Sequence, residues 1–147
     1  MMTLIKQFLK LFALIFLLSA CEVNHTVSVL DAWARANAPG QKVGAAYMTL
    51  ISAQDSSLIK VETASAGVVE IHSMNMDNGV MKMRMLEVLP LTAGKPEKLA
   101  PGGFHLMLFD LKKPLAAGEM LDLKLTFKDP AGNISQQDVT LPIKADE

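Results

Sequence analysis

From position 27 onward, apolar and polar residues alternate in short runs broken by turn-forming residues, and no long stretch repeats apolar positions at helical spacing. The clearest run lies near the C-terminal end, where Leu121, Leu123, Leu125 and Phe127 alternate with Asp122, Lys124, Thr126 and Lys128. Successive side chains of a strand point to opposite faces, so this run predicts one buried and one wet face, paired as a hairpin with the run that follows. Strands are predicted over 27–34, 45–51, 58–62, 68–72, 80–88, 105–111, 120–127 and 134–141. Turns between them are supplied by Ala38-Pro39-Gly40, Asp77-Asn78-Gly79, Ala93-Gly94-Lys95-Pro96, Pro101-Gly102-Gly103, Ala117-Gly118 and positions 129–133. Seven or eight such strands point to an all-β domain, a sandwich or small Greek-key barrel. Trp33 and Tyr47, the only large amphipathic aromatics, are expected to anchor its core.

The first 20 residues break the pattern. Lys6 and Lys10 precede an unbroken run of eight apolar residues, Leu11 to Leu18, in the charged-then-apolar order of a secretory signal. The run is shorter than the roughly 18 residues expected of a membrane span. It ends in Leu18-Ser19-Ala20-Cys21, which resembles the lipobox of bacterial lipoproteins. That resemblance implies acylation of Cys21, removal of residues 1–20 and attachment of the domain to a membrane, on its extracytoplasmic, periplasmic side. The chain then divides into a signal peptide (1–20), a lipidated tether (21–26), a folded domain (27–143) and a short tail (144–147).

Several classes of function are thereby excluded. The whole chain carries 15 acidic and 14 basic side chains; without Lys6 and Lys10 the balance becomes 15 to 12, a net charge of −3. No basic field remains to attract nucleic acid. Cys21 is the only cysteine, so a lipidated Cys21 leaves the folded part without disulfides, zinc–thiolate sites, iron–sulfur ligation, a cysteine nucleophile or c-type haem attachment. Neither a G-x-S-x-G elbow nor an H-E-x-x-H motif occurs, and no enzyme activity is expected. Asp110 and Glu87 read as solvated surface carboxylates, and His25 in the tether is assigned no role.

Methionine is the unusual residue. The chain has 10, and six of them (Met74, Met76, Met81, Met83, Met85 and Met107) fall within 34 residues, with His72 flanking that stretch and His105 inside it. On strands, His72-x-Met74, Met81-x-Met83-x-Met85 and His105-x-Met107 each present their side chains on one face. Thioether sulfur is soft and uncharged, and mixed with imidazole it discriminates against Ca, Mg and Mn and towards Cu(I). Without a cysteine ligand, a blue-copper electron-transfer site is not formed. Taken singly, each methionine reads as a packing residue, because methionine fills irregular gaps in cores. Their gathering with two histidines beside glycine-rich turns is what points to a soft-metal site. Met85 is expected to pack, and Met74 and Met81 stand as candidate outer-sphere sulfurs.

The spacing His72, ten residues, Met83, twenty-one residues, His105, one residue, Met107 resembles H-x10-M-x21-H-x-M, the motif of the periplasmic copper chaperone PCuA(C) family. Asp31-Ala32-Trp33-Ala34-Arg35, Gly44-Ala45-Ala46-Tyr47-Met48, Gly79-Val80-Met81-Lys82-Met83-Arg84, Pro101-Gly102-Gly103-Phe104-His105-Leu106-Met107 and Leu111-Lys112-Lys113-Pro114-Leu115 are similar to the same family. The resemblance implies a cupredoxin-like Greek-key β-sandwich or barrel that binds Cu(I) through His72, Met83, His105 and Met107. It further implies delivery of copper to the CuA centre of a cytochrome c oxidase subunit, alongside a Sco-type protein. The competing expectation is a metal-free β-sandwich lipoprotein with a Met-rich core, serving as a structural or adhesion module.

Overall fold

The computed structural model describes residues 27–145. The predicted signal peptide, the tether with Cys21 and His25, and positions 146–147 lie outside the described residues. Ten strands follow in order: β1 (Val27–Arg35), β2 (Gly44–Ser52), β3 (Ser56–Glu62), β4 (Val68–Asp77), β5 (Val80–Leu86), β6 (Leu89–Leu91), β7 (Pro96–Leu99), β8 (His105–Phe109), β9 (Met120–Lys128) and β10 (Ile134–Lys144). The all-β class matches the expectation from the alternating pattern. Three differences stand out. β4 continues five residues past His72, and two short strands, β6 and β7, occupy stretches where no strand was expected, β7 beginning at Pro96 of an expected turn.

Hydrogen bonding links the strands in the order β5-β4-β8-β2-β1-β10-β9-β3-β6, and β7 pairs with β2 beyond the end of β8. β1 is the seam between two halves. It pairs with β2 along most of its length but touches β10 only through Ala34↔Ile143 and Arg35↔Lys144. A register shift between Leu30 and Trp33, with Asp31 at φ 50°, marks a bulge that bends the strand between its two partners. The halves therefore fold over a shared core: Met48, Leu50, Leu106 and Leu108 from one side meet Leu58, Leu123, Leu125, Phe127 and Leu141 from the other.

The β9–β10 hairpin forms as the alternation predicts, with register running from Ile134↔Lys128 to Pro142↔Met120. One position on its expected wet face is not wet. Thr126 is buried, because β9 is an interior strand and Thr126 lies between Lys60 on β3 and Gln136 on β10, whose Nε2 is 3.4 Å from the Thr126 hydroxyl. Tyr47 is buried and Trp33 half-buried, resting on Tyr47 with ring centroids 4.7 Å apart; neither belongs to the shared core cluster that both were expected to anchor. Both belong to the face of the first half that points away from the core. That face is where the histidines lie.

Candidate metal centre

Strand alternation decides which residues share the outer face. Ile71 on β4 and Leu106 and Leu108 on β8 are core residues. Their neighbours Glu70, His72 and Met74 on β4, and His105 and Met107 on β8, therefore point the other way. The register completes the arrangement. His72 lies opposite His105 and Glu70 opposite Met107 across the β4–β8 pair, while Met85, Met83 and Met81 lie opposite His72, Met74 and Met76 across the β4–β5 pair. All four residues of the H-x10-M-x21-H-x-M spacing are thus on one face of three adjacent strands, although the first and the last are 35 positions apart.

They are not equally placed. His72 and His105 are buried at 9% and 4% exposure, with ring centroids 5.8 Å apart. Met107 is half-buried and lines a shallow cleft with Arg35, Asn37, Val43 and Ala45. Met83 lies on the edge strand and is 46% exposed. It is directly opposite Met74 and diagonal to His72; the residue in register with His72 is Met85.

Hydrogen bonds set the protonation pattern of both rings. His72 Nε2 lies 2.7 Å from Glu70 Oε2. An ionised carboxylate can only accept, so the bond places the proton on Nε2 and, in the neutral ring, leaves the lone pair on Nδ1. That Nδ1 is buried and has no hydrogen-bond partner among the described residues. His105 has the opposite pattern: its Nδ1 donates to the carbonyl of Gly103 at 3.0 Å, which leaves the lone pair on Nε2. The Gly103 carbonyl also accepts from the Met74 amide at 3.1 Å, so one backbone oxygen ties the turn before β8 to β4. Gly102, at φ 83°, allows the chain to fold back there. An oxygen that accepts from the far ring nitrogen in this way orients a metal-ligating imidazole.

Among the described residues, no group of three or more His, Cys, Asp or Glu side chains is placed to hold a metal ion. A ligand set built around this histidine pair draws on thioether sulfur, a soft donor suited to monovalent copper. A broad cleft lined by Glu62, Thr63, Asp122, Lys124, Asp138 and Thr140 contains neither histidine nor methionine and plays no part in this chemistry.

Two expectations are corrected. Met85 does not pack, since it is 56% exposed; β5 is an edge strand carried beyond the core, and no described residue buries its outer face. The Met-rich core required by a metal-free module is also absent. Met76, Met81, Met83 and Met85 are all exposed, and among the described methionines only Met48 is fully buried. Glu70 is not among the residues expected at the site. The signal for it was its position two residues before His72, which on a strand puts both side chains on one face.

The chain matches the model of the family described as "Putative lipoprotein LpqE-like" over residues 27–143. The "Putative lipoprotein Lxx21020" of Leifsonia xyli subsp. xyli (strain CTCB07) is 29% identical over 119 residues, which cover 80% of this chain and 69% of that relative. Among solved structures, the apo PCuAC domain from PmoF1 superimposes with a TM-score of 0.65 at 26% identity, covering 82% of this chain and 94% of that one. The CuI form of DR1885 from Deinococcus radiodurans superimposes with a TM-score of 0.53 at 28% identity, covering 87% and 85% respectively. The match spans nearly all of the folded strands and the shared architecture is the cupredoxin-like one; the chain belongs to the LpqE-like lipoprotein family and has the fold of the PCuAC copper-binding domains.

Proposed function

We propose that the protein is a lipid-anchored, extracytoplasmic copper carrier. It holds one tightly bound Cu(I) through His72, Met83, His105 and Met107 and passes it to an acceptor, the CuA centre of cytochrome c oxidase, directly or through a Sco-type protein. The observation that carries this reading is the opposed pair His72 and His105, each with its proton committed to an oxygen acceptor, on the face that also bears the thioethers. Similarity to a solved protein described with bound CuI supports copper as the cargo. The anchor rests on Leu18-Ser19-Ala20-Cys21 and on the lipoprotein family match. The acceptor rests on the PCuA(C) resemblance.

Four neutral ligands would leave the ion's charge uncompensated, which disfavours Cu(II) and suits a site that holds and releases copper without cycling it. The unequal exposure supplies a release order. Met83, on the open edge, is the ligand an acceptor reaches first, and the buried imidazoles let go last. Each exchange replaces one protein donor by one acceptor donor, and the ion remains monovalent throughout. The test is an anaerobic competition with a chromogenic Cu(I) chelator. The protein should retain one ion per chain, and the His72→Ala, Met83→Ala double variant should lose most of that affinity while keeping its β-sheet circular dichroism. A double variant with undiminished affinity would end this assignment.

A further inference from the structure

The copper site uses one of the five methionines on the β4–β5 hairpin, and the remaining four call for an explanation. Core packing does not provide one. Met76 is 65% exposed, Met81 51% and Met85 56%, so their thioethers stand in water. They are also ordered in space. Met74 opposes Met83 and, one rung further out, Met76 opposes Met81, all on the same face. Residues directly opposed in an antiparallel pair have Cβ atoms about 4.5–5.5 Å apart, and diagonal neighbours about 7–8 Å. Three further rotatable bonds in each methionine allow sulfurs on two adjacent rungs to converge on one ion.

The hairpin fixes that register. Asn78 and Gly79 both have positive φ, 50° and 78°, the signature of the two-residue turn whose twist matches that of the strands. Its two faces are chemically segregated. The face carrying the sulfurs has no ionisable side chain on the two outer rungs, whereas the opposite face carries Asn75, Asp77, Lys82 and Arg84, with Lys82 Nζ 2.6 Å from Asp77 Oδ2. Neutral sulfur without an anionic partner selects a soft ion of single charge over Zn2+, Ca2+ or Mg2+.

We propose that Met74, Met76 and Met81 form a second, all-thioether site for a soft monovalent cation, Cu(I) or its analogue Ag(I), at the open end of the β4–β5 hairpin. The site lies outboard of the imidazole pair, and Met83 stands in the rung between them. Successive rungs on one face are about 7 Å apart along a strand, so an ion held at the tip is a short ligand exchange away from the inner site. This deepens the copper-carrier reading and rests on it for the identity of the physiological ion.

The test is titration with Ag(I), which is diamagnetic and inert to oxidation here, followed by NMR of 13C-methyl methionine and of the histidine rings. The first equivalent should shift the His72 and His105 signals, and the second should shift the methyls of Met74, Met76 and Met81. In the Met76→Leu, Met81→Leu variant, which keeps size and hydrophobicity at two exposed positions, the second equivalent should be lost and the first kept. Methyl signals of Met76 and Met81 that remain unmoved through two equivalents would overturn the outer site, whatever the imidazoles do. The His72→Ala, His105→Ala variant separates the two claims. Retention of one Ag(I), with the three methyls shifting, supports the outer site independently of the inner one, and loss of all binding refutes it.

Discussion

The β4–β5 and β9–β10 hairpins are built alike and used in opposite ways. Both are antiparallel pairs with alternating sequences and turns that contain a positive-φ glycine, Gly79 in one and Gly132 in the other. In β9 every second residue from Leu121 to Phe127 is buried, whereas in β5 no residue is buried. The alternating residue is leucine in the first and methionine in the second. Leucine has few rotamers and packs into a defined core, while a flexible thioether gains little from exposure to water but is a metal donor. Alternation gives the strand, and the identity of the alternating residue tells what its face is for.

The largest effect expected from this contrast is on stability. Leu125→Ala, at a fully buried position of β9, should destabilise the fold by about 3 kcal/mol through lost transfer energy and the cavity left behind. Met81→Ala, at 51% exposure on β5, should change stability by about 0.5 kcal/mol or less. Urea denaturation of the two variants side by side measures the difference. Equal losses would mean that the β4–β5 hairpin is as much a part of the core as β9.

The next effect is on metal affinity. Glu70→Ala removes the acceptor that fixes the His72 ring, and loss of such an outer-shell carboxylate costs on the order of 10–100-fold in affinity. Glu70→Gln should lose less, because its amide oxygen still accepts from Nε2. Chelator competition with both variants checks the ordering. A Glu70→Ala protein that binds Cu(I) as tightly as the parent would show that the His72 ring needs no partner.

The residues made most of this legible, and where they did not the reason is physical. Eight of the strands were readable because the core needs period-two burial, and the convergence of His72, Met83, His105 and Met107 on one face follows from that period once β4, β5 and β8 are neighbours. β6 and β7 were not readable. They are three and four residues long, contain Pro90 and Pro96, and exist by pairing with the edges of β3 and β2, not through any pattern of their own. The extension of β4 through Met76 was hidden because Ser73 to Asp77 lacks the β-branched and aromatic residues that mark strands, and the Asn78-Gly79 turn holds it in place. The exposure of Met85 was misread for a related reason: sequence shows that a residue alternates, but not whether another layer lies over it.

The smallest expected effect separates the hairpins most finely. Gly79 and Gly132 lie at φ 78° and 90°, and a Cβ at either would meet nothing within 4 Å, so alanine at each position introduces backbone strain and no clash. That strain is about 1 kcal/mol in both cases. Its consequence should differ with what the hairpin is attached to. β9 and β10 carry Leu121, Leu123, Leu125, Phe127 and Leu141 of the core, so Gly132→Ala should appear in the global unfolding transition. The outer rungs of β4–β5 bury no core residue, so Gly79→Ala should leave that transition almost unmoved and instead speed amide exchange at 75–82 by about fivefold, the equivalent of 1 kcal/mol in a local opening equilibrium. Hydrogen exchange and thermal melting on the same two variants measure both quantities. A global shift as large for Gly79→Ala as for Gly132→Ala would show that the methionine hairpin opens only with the whole domain, and its thioethers would then belong to a rigid site instead of a yielding edge.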